Sequence, residues 1–102
     1  MANLRRIAKD INLDVTVASA LDTAVGMDSG LIAAKLTGSR AAGLATQRLF
    51  LEDVAEPRAI VDGRMEITRT TPDPERLFAL RAPGHRKDWW FERVRACMGA
   101  IV

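Results

Sequence analysis

The sequence predicts a mainly α-helical chain with one β-hairpin, an α+β arrangement of about five short helices and a hairpin near residues 58–70. Three observations carry this prediction. Apolar residues recur at i, i+3, i+4 and i+7 in several separate stretches, the period of a helix with one buried face. Residues that cap helices stand before those stretches, and Gly, Asn or Pro follow them. A lone Asp62-Gly63 pair lies between short apolar runs, where the positive φ angles of a two-residue hairpin turn are needed.

The first helix is expected over Leu4–Leu13, with Leu4, Ile7, Ala8 and Ile11 on one face and Asn12 in the left-handed conformation that ends it. Asp14 is placed to cap a second helix from Val15 to Gly26, with Val15, Val17, Ala18, Leu21, Ala24 and Val25 as its apolar content. The β-branched run Val15-Thr16-Val17 supports a competing strand over residues 13–17. A third helix covers Leu31–Leu36, capped by Asp28 or Ser29 and broken by Thr37-Gly38-Ser39. Ser39 then caps a longer helix from Arg40 to Glu52 or Val54, closed by Pro57.

In the hairpin, Ile60 faces Met65 and Ile67 continues that apolar side, leaving Ala59, Val61, Arg64 and Glu66 on the other. Asp73-Pro74-Glu75 reads as a helix start, with a capping carboxylate, proline in the first turn and an acidic residue at the positive end of the dipole. The last helix is expected from Arg86 to Ala100. Its apolar stripe is Trp90, Val94, Cys97, Met98 and Ile101, with Trp90 in the core and Trp89 partly exposed. The whole, residues 1–102, is expected to be one domain: a helical part over 1–56, then the hairpin and two helices over 57–102.

Bulk composition narrows the function classes. The 102 residues are 48% hydrophobic and 27% charged with a net charge of +2, the balance of a globular protein and not of a disordered one. One cysteine excludes an internal disulfide framework and a Cys-based zinc cluster, and one histidine excludes a His-pair metal site. No Gly-rich phosphate loop occurs, so neither a cofactor nor an enzymatic activity is expected. No apolar run approaches the roughly 20 residues that cross a bilayer, and Met1–Asp10 lacks a secretory core. A cytoplasmic place, or one in a particle assembled there, is the expectation, with no membrane partner.

One stretch is patterned. Arg6-Ile7-Ala8-Lys9-Asp10-Ile11-Asn12-Leu13-Asp14-Val15-Thr16-Val17-Ala18-Ser19-Ala20-Leu21, within residues 4–23, resembles the helix-turn-helix of bacterial and phage repressors. Ala8 matches the small residue where the two helices cross, Asn12 the turn, Asp14 the cap of the second helix, and Ala18 and Leu21 its inward positions. The resemblance implies a small DNA-binding regulator in which Arg5, Arg6 and Lys9 bind phosphate and Thr16 and Ser19 face the duplex. That exposed face, however, holds no Arg, Lys, Gln or Asn to read base edges.

The leading expectation is therefore a non-enzymatic assembly protein, such as a phage head, neck or tail component or a small complex subunit. Its partners would be proteins, including copies of itself, with duplex DNA as the alternative. The residues expected to bind partners are Ile60, Met65 and Ile67 of the hairpin and Trp89, Arg93 and Ile101 of the last helix.

Overall fold

The computed structural model describes residues 2–38 and 40–101. Among these, four α-helices form: α1 (Ala2–Asp10), α2 (Met27–Thr37), α3 (Pro74–Ala79) and α4 (Gly84–Gly99), with a 3₁₀ turn at Ala45–Leu49. No β-strand or sheet is present among the described residues, so the expected α+β class and its hairpin are not realised.

The turn itself forms as the sequence requires. Asp62 and Gly63 take φ angles of 48° and 72°, and Val61 and Arg64 exchange both backbone hydrogen bonds at 2.9 Å. The ladder stops at that single rung. Its backbone is otherwise engaged, because the Arg58 guanidinium takes the Glu66 carbonyl at 3.2 Å and the Thr68 carbonyl at 2.6 Å. The Arg58 backbone is held by Gln47 instead of by a facing strand.

The ends of α1 and α3 follow local chemistry. Asn12 has φ 55°, and the Leu13 N–H closes on the Ala8 carbonyl at 2.8 Å, a left-handed helix stop. Asp73 caps α3 by accepting from the Glu75 and Arg76 N–H groups at 2.8 and 3.1 Å. At α2 the expected cap is displaced: the helix begins at Met27 behind Gly26, with no side-chain cap. Asp28 lies inside the first turn, favourable for the dipole but free for other partners. Gly38, at φ 67°, ends α2.

Two predicted helices are absent. Residues 15–25 are not helical, and the competing strand over 13–17 does not form either: the one bridge of this stretch is at Ala18, and Leu21 sits at φ 62°. Residues 40–54 keep only the 3₁₀ turn, because Gly43 weakens a helix interior and its backbone bonds to residues 17 and 19 instead. Ser39, the cap proposed for that helix, lies outside the described residues.

The core is small. Met27, Leu31 and Leu44 form its centre, with Val17, Ala34 and Met65 packed against it. Gly30 permits this approach, since a Cβ there would lie 3.1 Å from Leu44 Cδ2. Trp90, expected in the core, is 49% exposed, and no residue of α3 or α4 is buried. The Cα radius of gyration is 16.5 Å, against about 13 Å for a compact domain of this length.

A polar knot holds the core's rim. The Arg58 side chain, 7% exposed, ion-pairs with Asp28 of α2 and bonds the Thr68 and Thr70 hydroxyls. Asp28 also accepts from the Thr70 N–H at 2.9 Å. Burial pushes the Asp28 carboxyl up, but the Thr70 N–H, the Arg58 guanidinium and the Thr70 hydroxyl outweigh it and hold the group below its ordinary value.

A group whose pKa is lowered on folding contributes stability above its unfolded pKa and loses it as pH falls through the folded one. Urea unfolding of the wild type should therefore show constant stability from pH 7 to about pH 5 and a decline below about pH 4. Asp28→Asn should lower stability at pH 7 by about 1–3 kcal/mol and flatten that acid decline. Arg58→Ala, which strands a partly buried carboxylate, should cost about 3–5 kcal/mol.

Candidate functional site

Two extended segments lie side by side and run in the same direction. Ala18 and Gly43 form a parallel bridge, in which the Gly43 N–H donates to the Val17 carbonyl at 2.8 Å and the Ser19 N–H to the Gly43 carbonyl at 3.0 Å. Burial along the first segment alternates: Val15, Val17 and Ser19 are half-buried, whereas Thr16, Ala18 and Ala20 are exposed. That is the two-residue period of a strand with one covered face. The helix α2 connects the segments, as parallel neighbours need a crossover.

The carboxyl ends of both segments meet in a hydroxyl pair. Ser19 Oγ and Thr46 Oγ1 are 2.6 Å apart, and Ser19 Oγ also donates to the Gly43 carbonyl at 3.3 Å. Gln47, 2% exposed, fixes the turn that carries Thr46: its amide nitrogen donates to the Arg58 carbonyl at 2.7 Å and its amide oxygen accepts the Arg58 N–H at 3.1 Å. Asp53 anchors the loop on the other side, accepting the Ala24 N–H at 2.8 Å. Each hydroxyl carries a single proton; with Ser19's on the Gly43 carbonyl and Thr46's on Ser19 both are used, and turning the Ser19 proton to Thr46 frees one donor, that of Thr46, for a ligand oxygen. No group of three or more His, Cys, Asp or Glu side chains that could hold a metal ion occurs among the described residues.

The residues expected to read DNA are not arranged to do so. Arg5, Arg6 and Lys9 are exposed on α1, and Arg6 pairs with Asp10 at 3.3 Å. Thr16 and Ser19 belong to the extended segment, not to a recognition helix, and Ser19 is occupied by Thr46. Arg5 and Lys9 line a cleft of about 430 Å³ with Asp14, whose carboxylate is paired with Arg40.

The expected partner-binding residues are dispersed. Met65 packs on the core, while Ile60 is half-buried and Ile67 lies beside Met65 in a separate cleft of about 220 Å³. Trp89 and Arg93 share α4 with the guanidinium 5.5 Å from the indole centroid, and Ile101, just past the helix, is 84% exposed. Thr46, Gln47 and Arg58 were not singled out from the sequence. The β-branched run at 15–17 lies just before the bridge at Ala18 without forming a strand, and nothing local marks the partner at Gly43.

The chain is similar to mycobacterial proteins named o-succinylbenzoate synthase. It is 53% identical over 98 residues to that of Mycobacterium tuberculosis (strain ATCC 25618 / H37Rv), a match covering 94% of this chain and 30% of the relative. The protein of Mycobacterium leprae (strain TN) is 46% identical over 104 aligned positions, covering 100% of this chain and 31% of the relative. That of Mycolicibacterium smegmatis (strain ATCC 700084 / mc(2)155) is 46% identical over 103 positions, covering 99% and 32%. The chain thus spans about 30% of the length of the curated relatives it matches. No family model and no solved structure matches it.

These relatives overturn three expectations. They are named as an enzyme, not as repressors, phage components or other non-enzymatic assembly proteins, and their similarity extends across nearly the whole chain. The resemblance in residues 4–23 came from spacing that many helix pairs satisfy. The absence of a motif misled because a stretch matching 30% of a longer enzyme need not contain a full set of reacting groups. No helix among the described residues is long and apolar enough to cross a membrane.

Removal of the Gln47 amide leaves two backbone groups of Arg58 without their partner. Gln47→Ala should lower stability by about 1–3 kcal/mol in urea unfolding. Amide exchange should quicken together at Gly43 and Ser19, the two N–H groups of the parallel bridge, if the turn and the bridge are one unit.

Proposed function

We propose that this chain supplies one extended–helix–extended unit of an o-succinylbenzoate synthase, with Ser19 and Thr46 at the edge of its ligand site. The observation that carries this is the hydroxyl pair at the carboxyl ends of two parallel segments joined by α2. In parallel α/β proteins, ligands bind outside the carboxyl ends of the strands. The names of the relatives supply the ligand class. By its own chemistry o-succinylbenzoate has a carboxylate on the ring, a second on the succinyl arm and a ketone between them. A hydroxyl donor suits such oxygens, and Thr46 supplies one when Ser19 turns its proton to it.

The rest of the geometry fits a positioning role. Gln47 and Arg58 hold Thr46 at a fixed distance from Ser19, and Asp53 holds the loop that follows Ser19. Pre-set donors cost little reorganisation when a charged ligand arrives.

The test places this chain in the M. tuberculosis relative in exchange for its matched stretch. The chimera should form o-succinylbenzoate. Ser19→Ala and Thr46→Val in it should each lower kcat/KM by about ten- to a hundredfold, the worth of one hydrogen bond to a charged oxygen. Arg81→Ala should leave it unchanged. A folded chimera without activity, or one indifferent to both hydroxyl variants, rejects the proposal.

A further inference from the structure

The chain exposes 8366 Å², whereas a folded monomer of its size exposes about 5,700 Å². The excess, about 2,700 Å², exceeds the roughly 800 Å² that each partner buries in a standard protein–protein interface. Much of it is apolar and organised. Along α4 and its end, Trp90, Val94, Cys97, Met98 and Ile101 lie on one stripe, and all are exposed: 49%, 53%, 65% and 84% for Trp90, Val94, Met98 and Ile101. A 16-residue helix with no buried residue is marginal in water, so α4 needs a cover to be stable. On α1 and just past its end, Leu4, Ile7 and Ile11 are exposed in the same manner.

We infer that the α4 stripe docks on the portion of an o-succinylbenzoate synthase that this chain does not span, through an apolar groove with an acidic rim. The inference rests on the function proposed above. Three observations select this occupant. The relatives extend over about three times the matched length. The two segments share a single parallel bridge with no further strand beside it among the described residues, and parallel pairing is ordinarily buried within larger sheets. The helical period places Arg86, Lys87 and Arg93 beside the stripe and Asp88 and Glu92 on the far face, so two copies stacked stripe to stripe would bring like charges together.

The experiment co-expresses the full chain with a tagged M. tuberculosis relative lacking its matched stretch. The expected result is a 1:1 complex by light scattering in which amide exchange across α4 slows about tenfold or more relative to the chain alone. Trp90→Asp with Met98→Asp should abolish the complex while leaving the circular dichroism of the free chain unchanged. Failure to form the complex overturns the inference, as does a complex with unchanged α4 exchange, self-association of the free chain through α4, or binding to anionic vesicles through it.

A second measurement removes dependence on the truncated relative. In the chimera described above, Cys97 should label with a thiol reagent at least about tenfold more slowly than in the free chain, where it is exposed. Equal rates overturn the inference. A protected Cys97 in a chimera that makes no o-succinylbenzoate would reject the proposed function and keep the docking face.

Discussion

The Arg58 guanidinium ties together four parts of the chain that share no helix. It pairs with Asp28 on α2 and bonds the Glu66 and Thr68 carbonyls and the Thr68 and Thr70 hydroxyls, while its backbone is held by Gln47. Charge inside a protein is costly unless it is paired and its remaining hydrogens are satisfied. Here all but the Nε are satisfied; that atom is the buried side-chain nitrogen without a partner among the described residues. The small apolar centre of Met27, Leu31 and Leu44 sits against this knot. The knot ties the turn that carries Thr46 to α2 a second time, beside the packing of Leu44 on Met27 and Leu31.

Local chemistry was readable where a single side chain decides the backbone. Asn12, Asp73 and the Asp62-Gly63 turn do what their types dictate, and α1, α2, α3 and α4 stand close to where the spacing puts them. The sequence failed where a distant partner decides. Residues 15–25 have helical spacing, but their backbone finds Gly43, some two dozen residues on. The hairpin failed because one arginine side chain took the carbonyls that a facing strand would have used. The stripe of α4 was read correctly as apolar and wrongly as buried, since periodicity says which residues want cover and not what supplies it.

The site shows the same division. The sequence sets Ser19 toward a duplex that it does not face, and nothing near Thr46 in sequence signals its partner. A parallel pair depends on residues separated by a crossover, so its carboxyl ends are invisible until the crossover is placed. The small residues around the pair, Ala18, Ala20 and Gly43, look like helix or loop residues in isolation.

The polar knot also has a consequence in time. Its contacts to Asp28 join residues 30 and 42 positions apart, and the Ala24–Asp53 and Ser19–Thr46 contacts join residues 29 and 27 apart. Each long loop must close before these contacts form, and closure entropy is lost first. Helices such as α1 and α4 can flicker into existence in microseconds on their own. The contacts of Arg58 with Gln47, Glu66, Thr68 and Thr70 close short loops of 8–12 positions, whereas those with Asp28 wait for the long ones, so topology weighs on the rate at which this chain becomes native.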